Sequence, residues 1–305
     1  MAMGRHARPE MPAPDNQRRA YLAWAVVCLI WGTTYLGIRI ALESIPPLLM
    51  AGFRWIVAGS LLIAMLKIRG ERLPSRRHYG SLAVLGLLLL GLGNGGVVWA
   101  EQTVPSGLTA VLVGTGPFWM VSIDAVMHDG DPLDLRRVIG LVVGFAGIVV
   151  LVWPELGMGA AGRAFLGGVL AAQIACVGWA IGSSYARRRD HSENVLAAAA
   201  FEMLFGGLLL LAAGLLRGEW SMLAFSGRST VALAYLIVFG AIAGFSAFTY
   251  ALKHLPIAFV SSYAYINPVI AMVLGTVVLG EPFSTRTGAA AGVVLVGMWL
   301  VRRGS

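Results

Sequence analysis

Inside runs that are otherwise apolar, a sparse set of polar and aromatic side chains recurs. It comprises Trp31, Thr34 and Tyr35, then Asn94 and Trp99, Thr115 and Trp119, Gln173 and Trp179, Ser246 and Tyr250, and Tyr263, Tyr265 and Asn267. An amide at the middle of a membrane-length run needs a partner, either another helix or a bound solute. Amides, hydroxyls and freed backbone carbonyls can hold the ammonium and carboxylate of a zwitterion, while ring faces form a wall for its side chain. Gln102 lies near the outer end of the same set.

Two prolines mark where such carbonyls would be freed. Pro117 and Pro268 each stand twelve residues after another proline, Pro105 and Pro256, and both pairs are related by a shift of 151. A proline cannot donate to the carbonyl four residues back, so Pro268 leaves the Ala264 carbonyl without its helix partner. That carbonyl either binds solute or is satisfied by neighbours around a kink that shapes the bundle. Paired interruptions at matching depth point to a carrier with its site at the midplane. Pro117, Pro268, Gly93 and Gly244 are the candidate hinges. Gly91, Gly93 and Gly96 spell a dinucleotide-binding pattern, but they lie within one apolar run and not between a strand and a helix. Close helix packing or a helix that opens are the working alternatives there.

These residues must be carried by helices in lipid. The 305 residues are 58% hydrophobic and only 12% charged, with a mean hydropathy of +0.77, too little polar surface to face water. Apolar spans fall at 21–41, 48–68, 80–100, 107–127, 137–153, 165–186, 195–216, 230–251, 257–279 and 287–301. The expected class is an all-α integral membrane protein of ten transmembrane helices. Seventeen Lys and Arg lie on alternate loops and both ends, against four on the intervening loops, which sets both termini in the cytoplasm. Residues 1–20, with no cleavage site, form a cytoplasmic tail.

Shifts of 148 to 151 superpose Cys28, Trp31, Arg39, Phe53 and Gly59 on Cys176, Trp179, Arg187, Phe201 and Gly207, and Gly147 on Gly297. The chain therefore divides into two five-helix repeats, 21–153 and 154–305. Five is odd, so the second repeat enters the membrane from the opposite side, the inverted arrangement of many alternating-access carriers. Arg54 and Glu202 occupy matching places inside their spans. Arg54 could reach Glu43, Glu101 or Glu281, and Glu202 could reach Arg187 to Arg189. Gate-like ion pairs and anchors that snorkel to the interface are both consistent with this. Asp124 sits near the cytoplasmic end of its span, where an interfacial role would account for it, and no carboxylate stands clearly at the centre.

The stretch CLIWGTTYLGIRIALESIPPLLMAGFRW, from Cys28 to Trp55, resembles the first two helices of the EamA-type transporters of the drug/metabolite transporter superfamily. Residues 256–282, ending Gly280-Glu281-Pro282, are similar to that family's ninth helix. The resemblance implies a bacterial inner-membrane carrier of small organic molecules, closest to exporters of aromatic and neutral amino acids. Export or import of other metabolites or drugs would use the same architecture.

Other classes find little support. The net charge of +8 follows the loops and forms no nucleic-acid patch. The two cysteines, Cys28 and Cys176, sit inside spans and suit packing, and the five histidines show no ligand spacing, so no metal or cofactor is expected. An intramembrane enzyme would need a nucleophile or metal motif, and a channel would need repeated rings of charge or carbonyls.

Overall fold

The computed structural model describes residues 14–126, 135–188 and 194–303, which are helical and contain no strand. Expectations for residues 1–13 with His6, for His128 and the Gly130-Asp131-Pro132 turn, and for Arg189 and His191 lie outside the described residues, as do the side chains of Asp124 and Arg187.

Among the described residues ten principal helices follow in order. They are α1 (Pro14–Ala41), α2 (Pro47–Ile68), α3 (Arg76–Ala100), α4 (Ser106–Ile123), α5 (Leu135–Val152), α6 (Gly159–Arg188), α7 (Val195–Leu216), α8 (Gly227–His254), α9 (Tyr263–Leu279) and α10 (Thr285–Arg303). Eight are long and apolar enough to cross a membrane, whereas the apolar runs Tyr263–Leu279 and Thr285–Leu300 are shorter. α1 starts at Pro14, seven residues ahead of the expected span, because proline at the first helical position has no hydrogen bond to lose.

The expected pair of proline-centred breaks is not what forms. α4 breaks at Gly114 and Thr115, and Pro117 falls in the first turn of the segment Gly116–Val126. In the second half the break lies at Ser261 and Ser262, between a short helix Ile257–Val260 and α9, while Pro268 stays inside the helix. In both places a hydroxyl takes the carbonyl three residues back. Thr115 Oγ1 donates to the Leu112 oxygen at 2.6 Å, and Ser262 Oγ to the Phe259 oxygen at 2.6 Å. That bond competes with helix continuation.

Two further irregularities do match. π-Helical turns occupy Gly86–Asn94 in α3 and Leu236–Ala243 in α8, and π turns inside α-helices concentrate where function needs displaced backbone.

Packing between the halves is reciprocal. α1 packs on α8 and α9, and its counterpart α6 packs on α3 and α4; α2 packs on α7, α4 on α9 and α5 on α10. Glycines permit these approaches. A Cβ on Gly59 would stand 2.7 Å from the Ala200 oxygen, and one on Gly207 2.7 Å from the Ile56 nitrogen. Gly52 lies against Leu211 and Gly214 against Leu49, so α2 and α7 run antiparallel. Gly147 meets Ala290 and Val294 while Gly297 meets Gly140 and Gly144, which makes α5 and α10 antiparallel as well. Large apolar side chains cover the outside, with Ile68 at 86% and Leu216 at 89% exposed. That surface suits lipid.

Two glutamates outside the ten principal helices hold helix starts. Gly280, at φ 65°, takes the left-handed turn that brings Glu281 back over Gly275. Glu281 then accepts from the Ser106 nitrogen (2.8 Å), Ser106 Oγ (2.9 Å) and the Gly107 nitrogen (3.3 Å) at the start of α4. Buried Glu219 likewise accepts from the nitrogens of Leu48 (2.9 Å) and Leu49 (3.0 Å) at the start of α2. Glu219→Ala leaves those two donors unsatisfied and should cost about 2–4 kcal/mol. The expected readout is a lower thermal midpoint in detergent with unchanged transport per folded molecule. An unshifted midpoint would mean that the cap is dispensable.

Candidate functional site

Trp31, Thr34 and Tyr35 face inward from α1 because they share one helical face with Ile38, at spacings of three and four residues. Together with α2, α3, α4, α6, α9 and the Ser261 break they enclose a cavity of about 90 Å³. That is room for roughly six water-sized positions at about 15 Å³ each.

One wall is aromatic. The Trp31 ring lies 5.5 Å from Trp179, 5.1 Å from Phe248 and 5.2 Å from Tyr263, centre to centre. Its Nε1 donates to the Gly240 oxygen at 3.2 Å, in the π turn of α8. Reciprocal glycines admit the two tryptophans. A Cβ on Gly244 would stand 2.5 Å from Trp31 Nε1, and one on Gly93 3.0 Å from Trp179 Cε3. The two glycines expected as hinges are thus points where a tryptophan of the other half meets backbone.

The polar groups divide between the cavity and the scaffold around it. Asn94, at the end of the α3 π turn, lines the cavity and accepts from Trp55 Nε1 at 2.8 Å. Asn267 lines it too, 3% exposed, with its amide nitrogen donating to the carbonyls of Cys28 (2.9 Å) and Tyr263 (3.2 Å). Tyr263, Ala264 and Pro117 complete the expected lining.

Gln173 holds α6 to the α4 break. Its Oε1 accepts from Trp119 Nε1 (2.9 Å) and lies 3.1 Å from Thr115 Oγ1, whose one proton it shares with the Leu112 oxygen, and its Nε2 donates to the Leu112 oxygen (3.3 Å). Gln173, Trp119 and Thr115 therefore stand behind the wall, not in it. Trp99 is stacked under the Arg217 guanidinium at 4.6 Å, and Tyr250 lies 4.3 Å from the His254 ring, both away from the cavity. Ser246, Tyr265, Pro268 and Gly244 do not line it either.

Several lining residues were absent from the sequence-based set: Arg54, Trp55, Val97, Met120, Cys176 and Ser261. Helical spacing carried a signal for two of them. Val97 follows Gly93 and Asn94 by four and three residues, and Cys176 precedes Trp179 by three. Arg54 is the larger difference. It is 2% exposed, so it does not snorkel to an interface, and its guanidinium lies 4.5 Å from the Trp55 ring centre. Of the carboxylates expected near it, Glu43 pairs with Arg228 at 3.4 Å and Glu281 with the start of α4. Glu101 remains, fully buried in the turn after α3. Glu202 is buried as well, at 6% exposed.

This arrangement can hold a small amphipathic solute between ring faces, with a guanidinium and two amides at its edges. Comparison with known proteins gives a matching picture. The model of the EamA-like transporter family matches residues 18–153 and 166–303. The chain is 39% identical over 277 residues to the uncharacterized inner membrane transporter YedA of Escherichia coli K12, covering 90% of this chain and 88% of that one. It is 27% identical to the uncharacterized transporter YvbV of Bacillus subtilis, over 91% of this chain and 89% of that one. It is 26% identical to the protein PagO of Salmonella typhimurium, over 92% and 91%. A crystal structure at 22% identity shares the fold with a TM-score of 0.66, over 92% of this chain and 96% of that one.

Proposed function

Because the chain belongs to the EamA-like transporter family, we propose that it exports aromatic or neutral amino acids across a bacterial inner membrane by alternating access. The observation that carries this reading is the cavity between the two halves, walled by Trp31, Trp179 and Tyr263 and edged by Asn94 and Asn267. Aromatic walls match the side chain of such a solute, and the polar edge matches its charged end. The name of the YedA relative supports the inner membrane as the location.

Ten spans in two inverted repeats, 21–153 and 154–305, with both termini cytoplasmic, complete the proposal. Its support is the reciprocal packing together with the antiparallel course of the repeat-related pairs α2 with α7 and α5 with α10. Repeats related by an axis in the membrane plane bring equivalent helices together antiparallel. Rocking of one half against the other would open the cavity to alternate sides, the π turns and the α4 break supplying compliant backbone beside it.

Counterflow in liposomes containing the purified protein is the test. Vesicles preloaded with unlabelled phenylalanine should accumulate labelled phenylalanine faster than empty ones, and Asn267→Ala should weaken this while the protein still inserts. Absence of trans-stimulation across a panel of aromatic and neutral amino acids would sink the substrate reading, and conductance without trans-stimulation would indicate a channel. Single cysteines at Asp131 and Ser284 should react with an impermeant reagent from opposite sides; labelling from one side would end the inverted arrangement.

A further inference from the structure

Among the described lining residues of the cavity none is Asp or Glu, so a cation held there meets neutral oxygens. Two of these are backbone carbonyls that proline deprives of their helical donors. Pro268 has no N–H to give the Ala264 carbonyl, and Pro117, four residues after Val113, has none to give the Val113 carbonyl. Val113 and Ala264 are themselves related by the shift of 151, one from each half, and both line the cavity. The contact of α4 with α9 brings them together. A Cβ on Gly114 would stand 3.5 Å from the Ala264 oxygen, and one on Gly107 2.8 Å from Met272 Cα.

The surroundings favour positive charge at this edge. Val113 closes the helical segment Ser106–Val113, so its carbonyl lies at the negative end of that helix dipole. The Cys176 thiol reaches the Val113 oxygen at 3.6 Å, but a thiol is a weak donor and leaves the carbonyl acceptor capacity. Asn267, on the same helix as Ala264, gives its amide nitrogen to the carbonyls of Cys28 and Tyr263, so its oxygen is what it offers the cavity. Elsewhere in the lining, Asn94 Oδ1 already takes the Trp55 indole and Thr34 Oγ1 donates to the Trp31 oxygen. Arg54, the cation of the described lining, lies against Trp55 and Gly240, on the α2 and α8 side. Backbone carbonyls freed at interrupted helices are groups with which carriers hold cations.

We propose that the Val113 and Ala264 carbonyls, with the Asn267 amide oxygen, are the receptor for the primary ammonium group of the transported amino acid. This rests on the amino acid reading above and assigns the group that separates an amino acid from other aromatic acids. An ammonium presents three N–H donors, each of which needs an acceptor once water is stripped away. Two carbonyls and one amide supply three acceptors, and because all are neutral no bare carboxylate is left at membrane depth when the solute departs. One carbonyl belongs to each half, so the motion that parts the halves also parts the acceptors, and release follows opening. A free sodium ion shares the preference for carbonyl oxygens, and the test below separates it from the ammonium.

Purified protein in detergent, with tryptophan fluorescence as the binding signal, is titrated with three probes. They are L-phenylalanine, 3-phenylpropionate, which lacks the ammonium, and N,N,N-trimethyl-L-phenylalanine, which keeps the charge without an N–H. The wild type should bind L-phenylalanine at least about tenfold more tightly than either of the others, since each loses charge-assisted hydrogen bonds. Pro268 lies outside the described lining, and Pro268→Ala supplies the Ala264 carbonyl with the N–H it lacks. That variant should weaken L-phenylalanine by about fivefold to tenfold and leave 3-phenylpropionate within about twofold. Replacing sodium by choline should leave L-phenylalanine binding unchanged. In the wild type, 3-phenylpropionate or the trimethyl probe binding as tightly as L-phenylalanine would overturn the assignment, a result that needs no variant to fold. Pro268→Ala weakening L-phenylalanine and 3-phenylpropionate alike, or neither, would also overturn it. Binding that requires sodium, with the requirement lost in Pro268→Ala, would give the carbonyls to the metal ion instead. Phenylalanine counterflow that persists through any of these failures keeps the carrier reading. If no probe binds and counterflow is absent, the amino acid reading falls and this one with it.

Discussion

Gly207→Leu should damage the scaffold severely, lowering stability by more than about 3 kcal/mol and sharply cutting the yield of monodisperse protein. The α2 and α7 backbones meet at this residue. A Cβ there would stand 2.7 Å from the Ile56 nitrogen and 3.0 Å from Trp55 Cβ, and neither can yield without moving a helix. Trp55 lines the cavity and bonds Asn94, so strain at Gly207 passes directly to the site. Gly207→Ala should cost less, about 1–3 kcal/mol. Gly292→Leu is the control, because nothing lies within 4 Å of a Cβ there, and it should be close to neutral. Thermal midpoints and chromatographic profiles of the three variants decide the matter. A Gly207→Leu protein as stable as Gly292→Leu would mean that the helices separate freely, and the close-packed account of this interface would fail.

Much of the scaffold was legible because lipid demands so simple a pattern. Apolar length marks a helix, and glycines repeating at corresponding places mark where two helices touch. Gly59 and Gly207, matched by the shift of 148, each admit the other helix, Gly59 against Ala200 and Leu204 and Gly207 against Ile56 and Trp55. The breaks were less legible. Proline was the obvious signal, yet Pro268 removes one donor from a helix that tertiary packing still holds together, while the hydroxyls of Thr115 and Ser262 end their segments by capturing a carbonyl. The π turns had no local signature at all. Leu-rich and Gly-rich runs are equally compatible with an α-helix, and only contact with the opposite half distinguishes the two forms.

The site divides in the same way. Residues on a helical face with a polar centre, such as Thr34, Asn94 and Asn267, were found because depth and periodicity are sequence properties. Trp119 and Gln173 stand one layer behind the wall, a difference that depth and periodicity do not carry, because a side chain that faces solute and one that bonds the helix behind it look alike in sequence. For Arg54 the sequence leaves two readings open, a gate-like ion pair and an anchor that snorkels to the interface, because an arginine inside a span is compatible with both. Its burial depends on Gly240, nearly two hundred positions along the chain, leaving room for the guanidinium.

Trp31→Ala is expected to have the largest effect on transport. The indole touches Trp179, Phe248 and Tyr263, and its Nε1 is the tie between α1 and the π turn of α8. Truncation removes the centre of the aromatic wall and leaves the Gly240 carbonyl without its donor. A stability loss of about 2–4 kcal/mol is expected for a large, partly buried ring. Counterflow of phenylalanine should fall by at least about tenfold, since a misplaced wall loses the solute's orientation as well as its contacts. Trp31→Phe separates the two contributions. It keeps a ring against Trp179 but loses the hydrogen bond, so it should recover most of the stability and only part of the transport. A double-mutant cycle with Trp179→Phe should give a coupling of about 0.5–1.5 kcal/mol for the ring pair. If Trp31→Phe transports as well as the wild type, the tie to the π turn has no part in the cycle. If Trp31→Ala folds and transports normally, the solute does not rest on this wall.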